Sequence, residues 1–164
     1  MAVRERLSLL ETMWRAATSF GHPQLKEEQE QAIVYIANSC DVFMSLPTGY
    51  GKSLCYVMLP RLFNMLRGTA STSIVLAVSR LIALMKDQVA IFTVKGILTA
   101  YVSDREDCTG ATTRSMRKGE HEVMYMSPEA LLSTLEMRTM LSTELYWANL
   151  VGFIVGEAHS IKKW

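Results

Sequence analysis

The sequence is poor in the features that staple small proteins together. Its three cysteines, Cys40, Cys55 and Cys108, are odd in number, far apart and form no C-x-x-C pair. That pattern indicates neither a disulfide framework nor a zinc site, and it reads as reduced thiols of an intracellular protein. Charge of one sign is also lacking. Seventeen Lys and Arg face sixteen Asp and Glu, for a net charge of +1, so no global basic field advertises nucleic acid, although a local groove remains open. No apolar run is long enough to cross a membrane. The segment from Met1 to Glu11 is charged and lacks the apolar centre of a signal peptide. No internal repeat, low-complexity tract or interdomain linker interrupts the chain.

What is present is enough for a real core. Apolar residues make up 49% of the 164 positions, and that length corresponds to about one domain. The eleven methionines are dispersed, which suits adaptable core filler better than a binding role. Apolar spacing predicts an amphipathic helix over Val3 to Phe20, with Leu7, Leu10, Met13, Trp14 and Ala17 on one side. Gly21-His22-Pro23 ends it. A second helix is predicted over Lys26 to Asn38, with Ala32, Ile33, Tyr35 and Ile36 as its buried stripe. Strands are predicted at Asp41–Ser45, Ser73–Val78, Ile97–Val102, Glu122–Met126 and Leu150–Val155. Helices are predicted over Leu54–Leu66, Leu81–Phe92 and Glu129–Leu141, and Asp104–Thr113 reads as a loop entering a short helix. Strands alternating with helices imply right-handed βαβ units and a mostly parallel sheet covered on both faces. The expected architecture is a doubly wound α/β domain of the P-loop type, with its ligand at the carboxyl ends of the strands.

The most informative stretch is Leu46-Pro47-Thr48-Gly49-Tyr50-Gly51-Lys52-Ser53. It lies between a predicted strand and a predicted helix, the setting that a phosphate-binding loop needs. Glycines let the backbone wrap an anion with its N–H groups pointing inward, and the following helix aims its positive end at the same point. Lys52 reaches the outer phosphates, and the Ser53 hydroxyl suits a magnesium ion. The strict pattern would have Gly at position 46, where Leu stands. About a hundred residues on, the last predicted strand delivers Gly156-Glu157-Ala158-His159. An acid at the end of a neighbouring strand is what P-loop ATPases use at the metal and the attacking water. Glu157 is the candidate general base.

In their order, these motifs resemble the N-terminal, ATP-binding half of a RecQ-type DNA helicase, a DEAH-box-like member of helicase superfamily 2. The resemblance runs from about Phe20 to Trp164. It suggests an N-terminal helix and connection over residues 1–24, then a RecA-like ATP-binding domain over 25–164. Phe20-Gly21, Lys26, Gln29 and Ala32-Ile33 resemble the segment in which the family reads adenine through a glutamine, with a basic residue, usually Arg, beside the base. Leu46 to Ser53, continuing as Leu54-Cys55-Tyr56, resembles the family's first motif, which usually has Met where Leu46 stands. The resemblance thus implies ATP and Mg2+, with Lys26, Gln29, Pro47, Thr48, Gly49, Tyr50, Gly51, Lys52, Ser53 and Leu54 around the nucleotide. It implies Ser53 and Glu157 near the metal, and Lys52, Glu157 and His159 in catalysis.

Val78 to Val89 resembles the motif that lies along single-stranded DNA, with Arg80 where the family has Pro. Met126-Ser127-Pro128-Glu129 resembles a later strand-end motif that also touches the DNA backbone, with Ser127 for the usual Thr. Val155 to His159, with Ser160-Ile161 and Trp164, resembles the DEAH box and the start of an aromatic-rich loop. Implied DNA contacts are therefore Ser79, Arg80, Lys86, Ser127, Pro128, Glu129 and Trp164. The partners implied are single-stranded or partly duplex DNA and a second RecA-like lobe that this chain does not encode. No membrane is implied, nor zinc in this segment, and a nuclear location follows from the resemblance alone.

Two departures limit the expected activity. Gly156 stands where the family has the Asp that orients magnesium through its water shell, and losing such an acid costs orders of magnitude in hydrolysis. The second lobe would supply an arginine finger. The sequence therefore reads as half of a motor, as a nucleotide- or DNA-binding module that no longer turns over ATP, or as a non-functional fragment. A small-molecule P-loop kinase would need lid arginines after the P-loop helix, and Arg61 and Arg67 make no recognisable lid.

Overall fold

The computed structural model describes residues 3–68, 72–103, 110–133 and 135–156, with the side chains of 3–7 and 133 left aside. The chain forms two compact units, Met1–Ser73 and Ile74–Trp164. The first is helical among its described residues. It contains α1 (Val3–Ser19), α2 (Glu27–Ala37), α3 (Lys52–Val57) and α4 (Leu59–Arg67). Met13, Ala16 and Ala17 of α1 are buried, as are Leu59 and Leu62 of α4, and the two helices pack together. Small residues on α1 let α4 approach closely. Arg61 lies over the Phe20 ring at 4.6 Å, and Arg67 over Phe63 at 5.6 Å. Both arginines thus hold aromatic faces of their own unit.

The predicted P-loop helix is two helices here. Pro60 has no N–H to give to the carbonyl of residue 56, and its ring crowds that turn. The helix is interrupted at Met58, and Pro60 sits at the second position of α4, where a missing N–H costs nothing. In α2, Ala32 and Ile33 are buried as expected, but Tyr35 is 56% exposed. The predicted strand Asp41–Ser45 does not form. The segment has no regular structure, and Phe43 is 82% exposed. Strand propensity makes a segment extended, but a strand needs a neighbour to pair with. Among the described residues of this unit there are only helices.

Among its described residues the second unit is built on four parallel strands, β1 (Ile74–Val78), β2 (Thr99–Val102), β3 (Val123–Met126) and β4 (Leu150–Val155), in the order β2-β3-β1-β4. Parallel neighbours require crossovers, and helices supply them. α5 (Ile82–Val94) joins β1 to β2, α6 (Gly110–Arg117) lies between β2 and β3, and α7 (Pro128–Ser133), α8 (Leu135–Leu141) and α9 (Glu144–Asn149) lie between β3 and β4. Every residue of β1 and β3 is buried, so these near-continuous apolar runs are the centre of the sheet. Val78 pairs with Met126 on one side and Val155 on the other, and Met126 pairs with Val102. All four strands therefore end in one row.

Methionine fills this core. Met116, Met124, Met126, Met137 and Met140 are buried with Leu76, Ala100 and Tyr146, and each such apolar side chain contributes about 1.5–3 kcal/mol. Tyr146 donates its hydroxyl proton to the Met116 carbonyl, which satisfies both groups. Burial pushes the phenol pKa up to about 12.

One half-buried histidine makes the unit sensitive to acid. The Ser115 hydroxyl donates to the Thr112 carbonyl at 2.9 Å, so it accepts from His121 Nε2–H, 2.8 Å away. His121 Nδ1 is then a bare, buried lone pair with no partner among the described residues. Burial lowers the imidazole pKa, and the Glu120 carboxylate opposes that shift. The unfolded ring takes up its proton near pH 6.5, the folded ring only at lower pH. The stability held by the neutral ring is therefore full above about pH 6.5 and drains away as pH falls below it. Urea midpoints at pH 7 and pH 5 are expected to differ more for the native chain than for His121→Gln. Equal differences would contradict this.

Candidate functional site

The glycine-rich loop of the first unit is held in a defined shape. Gly49 has φ +81° and Gly51 φ +91°, a left-handed conformation that side chains rarely adopt. A Cβ at Gly51 would also lie 2.7 Å from Gln29 Nε2. The Tyr50 N–H donates to the Pro47 carbonyl at 3.3 Å, and the Leu54 N–H donates to Gly51 at 3.1 Å. The loop thus closes a turn and runs directly into α3, whose first residues are Lys52 and Ser53. Lys52 donates its ammonium to the carbonyls of Leu46 and Pro47, at 2.6 and 3.0 Å. It is anchored at the mouth of the loop. Thr48 and Gly49 are exposed at the tip, and Ser53 and Leu54 are half-buried.

The first turn of α2 grips this loop. Gln29 Nε2 donates to the Tyr50 and Gly51 carbonyls, each at 3.2 Å, and Gln29 Oε1 accepts the Lys26 N–H at 2.9 Å. The side chain is only 4% exposed. Both amide hydrogens are committed, so reading a base edge requires this amide to leave the loop. Lys26 donates to the Tyr50 carbonyl at 3.3 Å and lies 3.8 Å above the centre of the Tyr50 ring. The Tyr50 hydroxyl donates to the Glu28 carboxylate, which holds that carboxyl below its usual range and pushes the phenol up. Beside these residues is an open groove of about 430 Å³, lined by Glu28, Ala32, Tyr35, Phe43 and Leu46 among others. The sequence pattern singled out Lys26 and Gln29 but not Glu28. Its one signal was an acid in the first turn of a helix next to a tyrosine-bearing loop.

In the second unit the sheet brings several of the other expected residues to one edge. Ser79 follows β1, Ser127 follows β3 and Gly156 follows β4. Ser79 and Ser127 are buried. Ser79 Oγ accepts the Leu81 N–H at 3.3 Å, and Ser127 Oγ accepts the Ala130 N–H at 3.1 Å. Both hydroxyls therefore serve the chain turns that start the next helices. Pro128 is the first residue of α7. Arg80 and Glu129 lie 3.9 Å apart as a half-exposed ion pair, so two residues expected to face DNA touch each other across β1 and β3. Lys86 is exposed on α5, with its ammonium 6.0 Å from the centre of the Tyr101 ring. Glu157, His159 and Trp164 lie outside the described residues. Among the described residues no cluster of three His, Cys, Asp or Glu is placed to hold a metal ion.

The DEAD/DEAH box helicase family matches residues 26–164, and the chain belongs to that family. Within it, the relatives carry RecQ-type names. The ATP-dependent helicase SGS1 of Saccharomyces cerevisiae is 31% identical over 156 residues, covering 94% of this chain and 10% of that protein. The ATP-dependent DNA helicase Q-like 5 of Arabidopsis thaliana is 35% identical over 147 residues, covering 88% of this chain and 15% of its own length. The ATP-dependent DNA helicase RecQ of Bacillus subtilis is 31% identical over 148 residues, covering 88% and 23%. The chain thus spans a tenth to a quarter of the length of these relatives.

Gly156 donates its N–H to the Val78 carbonyl at 2.8 Å. A Cβ there would lie 3.3 Å from the Val78 carbonyl oxygen and 3.7 Å from Ser79 Cβ. A side chain fits after a shift of a few tenths of an ångström, and the backbone is not left-handed. Gly156→Asp is therefore expected to unfold cooperatively in urea with less than about 1 kcal/mol of lost stability. A loss of several kcal/mol would show that the strand end cannot hold an aspartate.

Proposed function

We propose that this chain binds ATP and Mg2+ and contacts single-stranded DNA, as the ATP-binding part of a 3'–5' helicase of RecQ type. The observation that carries the reading is the loop from Leu46 to Ser53, fixed by two left-handed glycines with Lys52 anchored at its mouth. A loop of this shape gathers backbone N–H groups around an anion, and its lysine meets the outer phosphates. In this reading the domain runs over residues 25–164. Pro47, Thr48, Gly49, Tyr50, Gly51 and Leu54 surround the phosphates, and Lys26 and Gln29 lie towards the base. Ser53 offers a hydroxyl to magnesium, an ion that keeps most of its waters and shares phosphate oxygens. Glu157 acts at the metal and as general base. His159 links the nucleotide to a second RecA-like lobe, which a working motor of this family requires.

Single-stranded DNA runs over the carboxyl ends of the strands, past Ser79, Arg80, Lys86, Ser127, Pro128, Glu129 and Trp164. Phosphate contacts of this kind position a strand without reading its sequence. The resemblance to a DNA helicase is what suggests a nuclear site of action. Gly156 favours a second reading, in which the nucleotide is held and scarcely hydrolysed. The two readings meet in one assay. Turnover of ATP by this chain is expected to be negligible with or without single-stranded DNA, while a fluorescent ATP analogue binds in the presence of magnesium and Lys52→Ala abolishes that binding. Turnover of several per second, lost in Lys52→Ala, would overturn the non-hydrolysing reading. Absence of analogue binding would overturn both.

A further inference from the structure

We infer that Glu28 is a positioning residue for the phosphate loop, acting through the Tyr50 hydroxyl; this rests on the nucleotide-binding reading above. Tyr50 is the one bulky residue between the two left-handed glycines, and a side chain there is free to swing unless something holds it. Three groups on one helical turn hold it at three different points. Gln29 and Lys26 take its main-chain carbonyl, at 3.2 and 3.3 Å. The Lys26 ammonium covers its ring at 3.8 Å. The Glu28 carboxylate takes its hydroxyl.

The carbonyl bonds orient the backbone of the loop, because a peptide whose carbonyl points at α2 turns the N–H of the next residue the other way. Residues 51 and 52 follow those two peptides, so their N–H groups face away from α2. The hydroxyl bond has a separate effect. It fixes the ring as a lever whose far end is tied to α2, so the peptides on either side of Tyr50 cannot rotate without breaking it. A loop with glycine on both sides pays a large ordering cost when it closes on an anion. The Glu28–Tyr50 tie meets part of that cost before the ligand arrives. A purely structural role would stabilise α2 and leave ligand affinity alone. The positioning role lowers affinity when the tie is cut.

Binding of a fluorescent ATP analogue to the full chain separates the possibilities, with thermal midpoints read in parallel. Tyr50→Phe keeps the ring over Lys26 and deletes only the hydroxyl. Glu28→Ala deletes only the acceptor, and Glu28→Gln keeps an acceptor oxygen in place. Tyr50→Phe and Glu28→Ala are each expected to weaken binding by about threefold to tenfold, the range of one hydrogen bond. The double variant should bind no more weakly than either single one, because both cut the same tie. Glu28→Gln should restore most of the affinity. Losses that add in the double variant, or affinities equal to the native chain's, would overturn the inference. A native chain that fails to bind the analogue would instead remove the nucleotide reading on which it rests.

Discussion

A loop with glycine in the left-handed conformation at positions 49 and 51 keeps one shape only if its outward carbonyls are satisfied. In this chain a single side chain does most of that. Gln29 gives both amide hydrogens to the carbonyls of Tyr50 and Gly51, and its oxygen closes on the Lys26 N–H. Buried amides are costly when unpaired, so these three bonds stand or fall together. They tie the start of α2 to the start of α3. Lys52, the first residue of α3, then secures the mouth of the loop through Leu46 and Pro47. Among the described residues of the first unit, the glycine-rich loop is thus braced by α2 and α3.

The second unit solves a different problem with ordinary means. Its two central strands are wholly apolar and buried, and polar groups collect where the strands end. The serines that follow β1 and β3 are buried, and each hydroxyl accepts a backbone N–H from the next turn of chain. At this edge Arg80 and Lys86 are exposed while the serines are buried. Glu129 tempers Arg80, and a cation already beside a carboxylate gains less from a phosphate. The balanced net charge of the sequence has a local counterpart here.

Much of this was legible in the sequence, and the failures have physical causes. Buried central strands such as Ile74–Val78 and Val123–Met126 announce themselves as short apolar runs between turns, and the glycine and lysine spacing gave away the loop. The strand expected at Asp41–Ser45 has the right residues, but no strand forms among the described residues of its unit to pair with it. The P-loop helix was read as continuous because its apolar pattern crosses Pro60 without a break, yet the missing N–H divides it. α9, only six residues long, is too short for periodicity to reveal. Its start at Thr143-Glu144 offers just a threonine followed by an acid. The resemblance singles out Gln29. Its bond to the loop was not legible, because a tertiary contact 21 residues away leaves no mark in local pattern. The same holds for Glu28 and the ion pair of Arg80 with Glu129.

The central claim is that the loop from Leu46 to Ser53 is a nucleotide cradle already braced by α2. Amide hydrogen exchange along residues 47–54, with and without ATP and magnesium, tests it most directly. The account predicts slowed exchange of these amides when nucleotide is added, with the first turn of α2 slowed in step. Exchange across the loop that is unchanged by saturating nucleotide would contradict it.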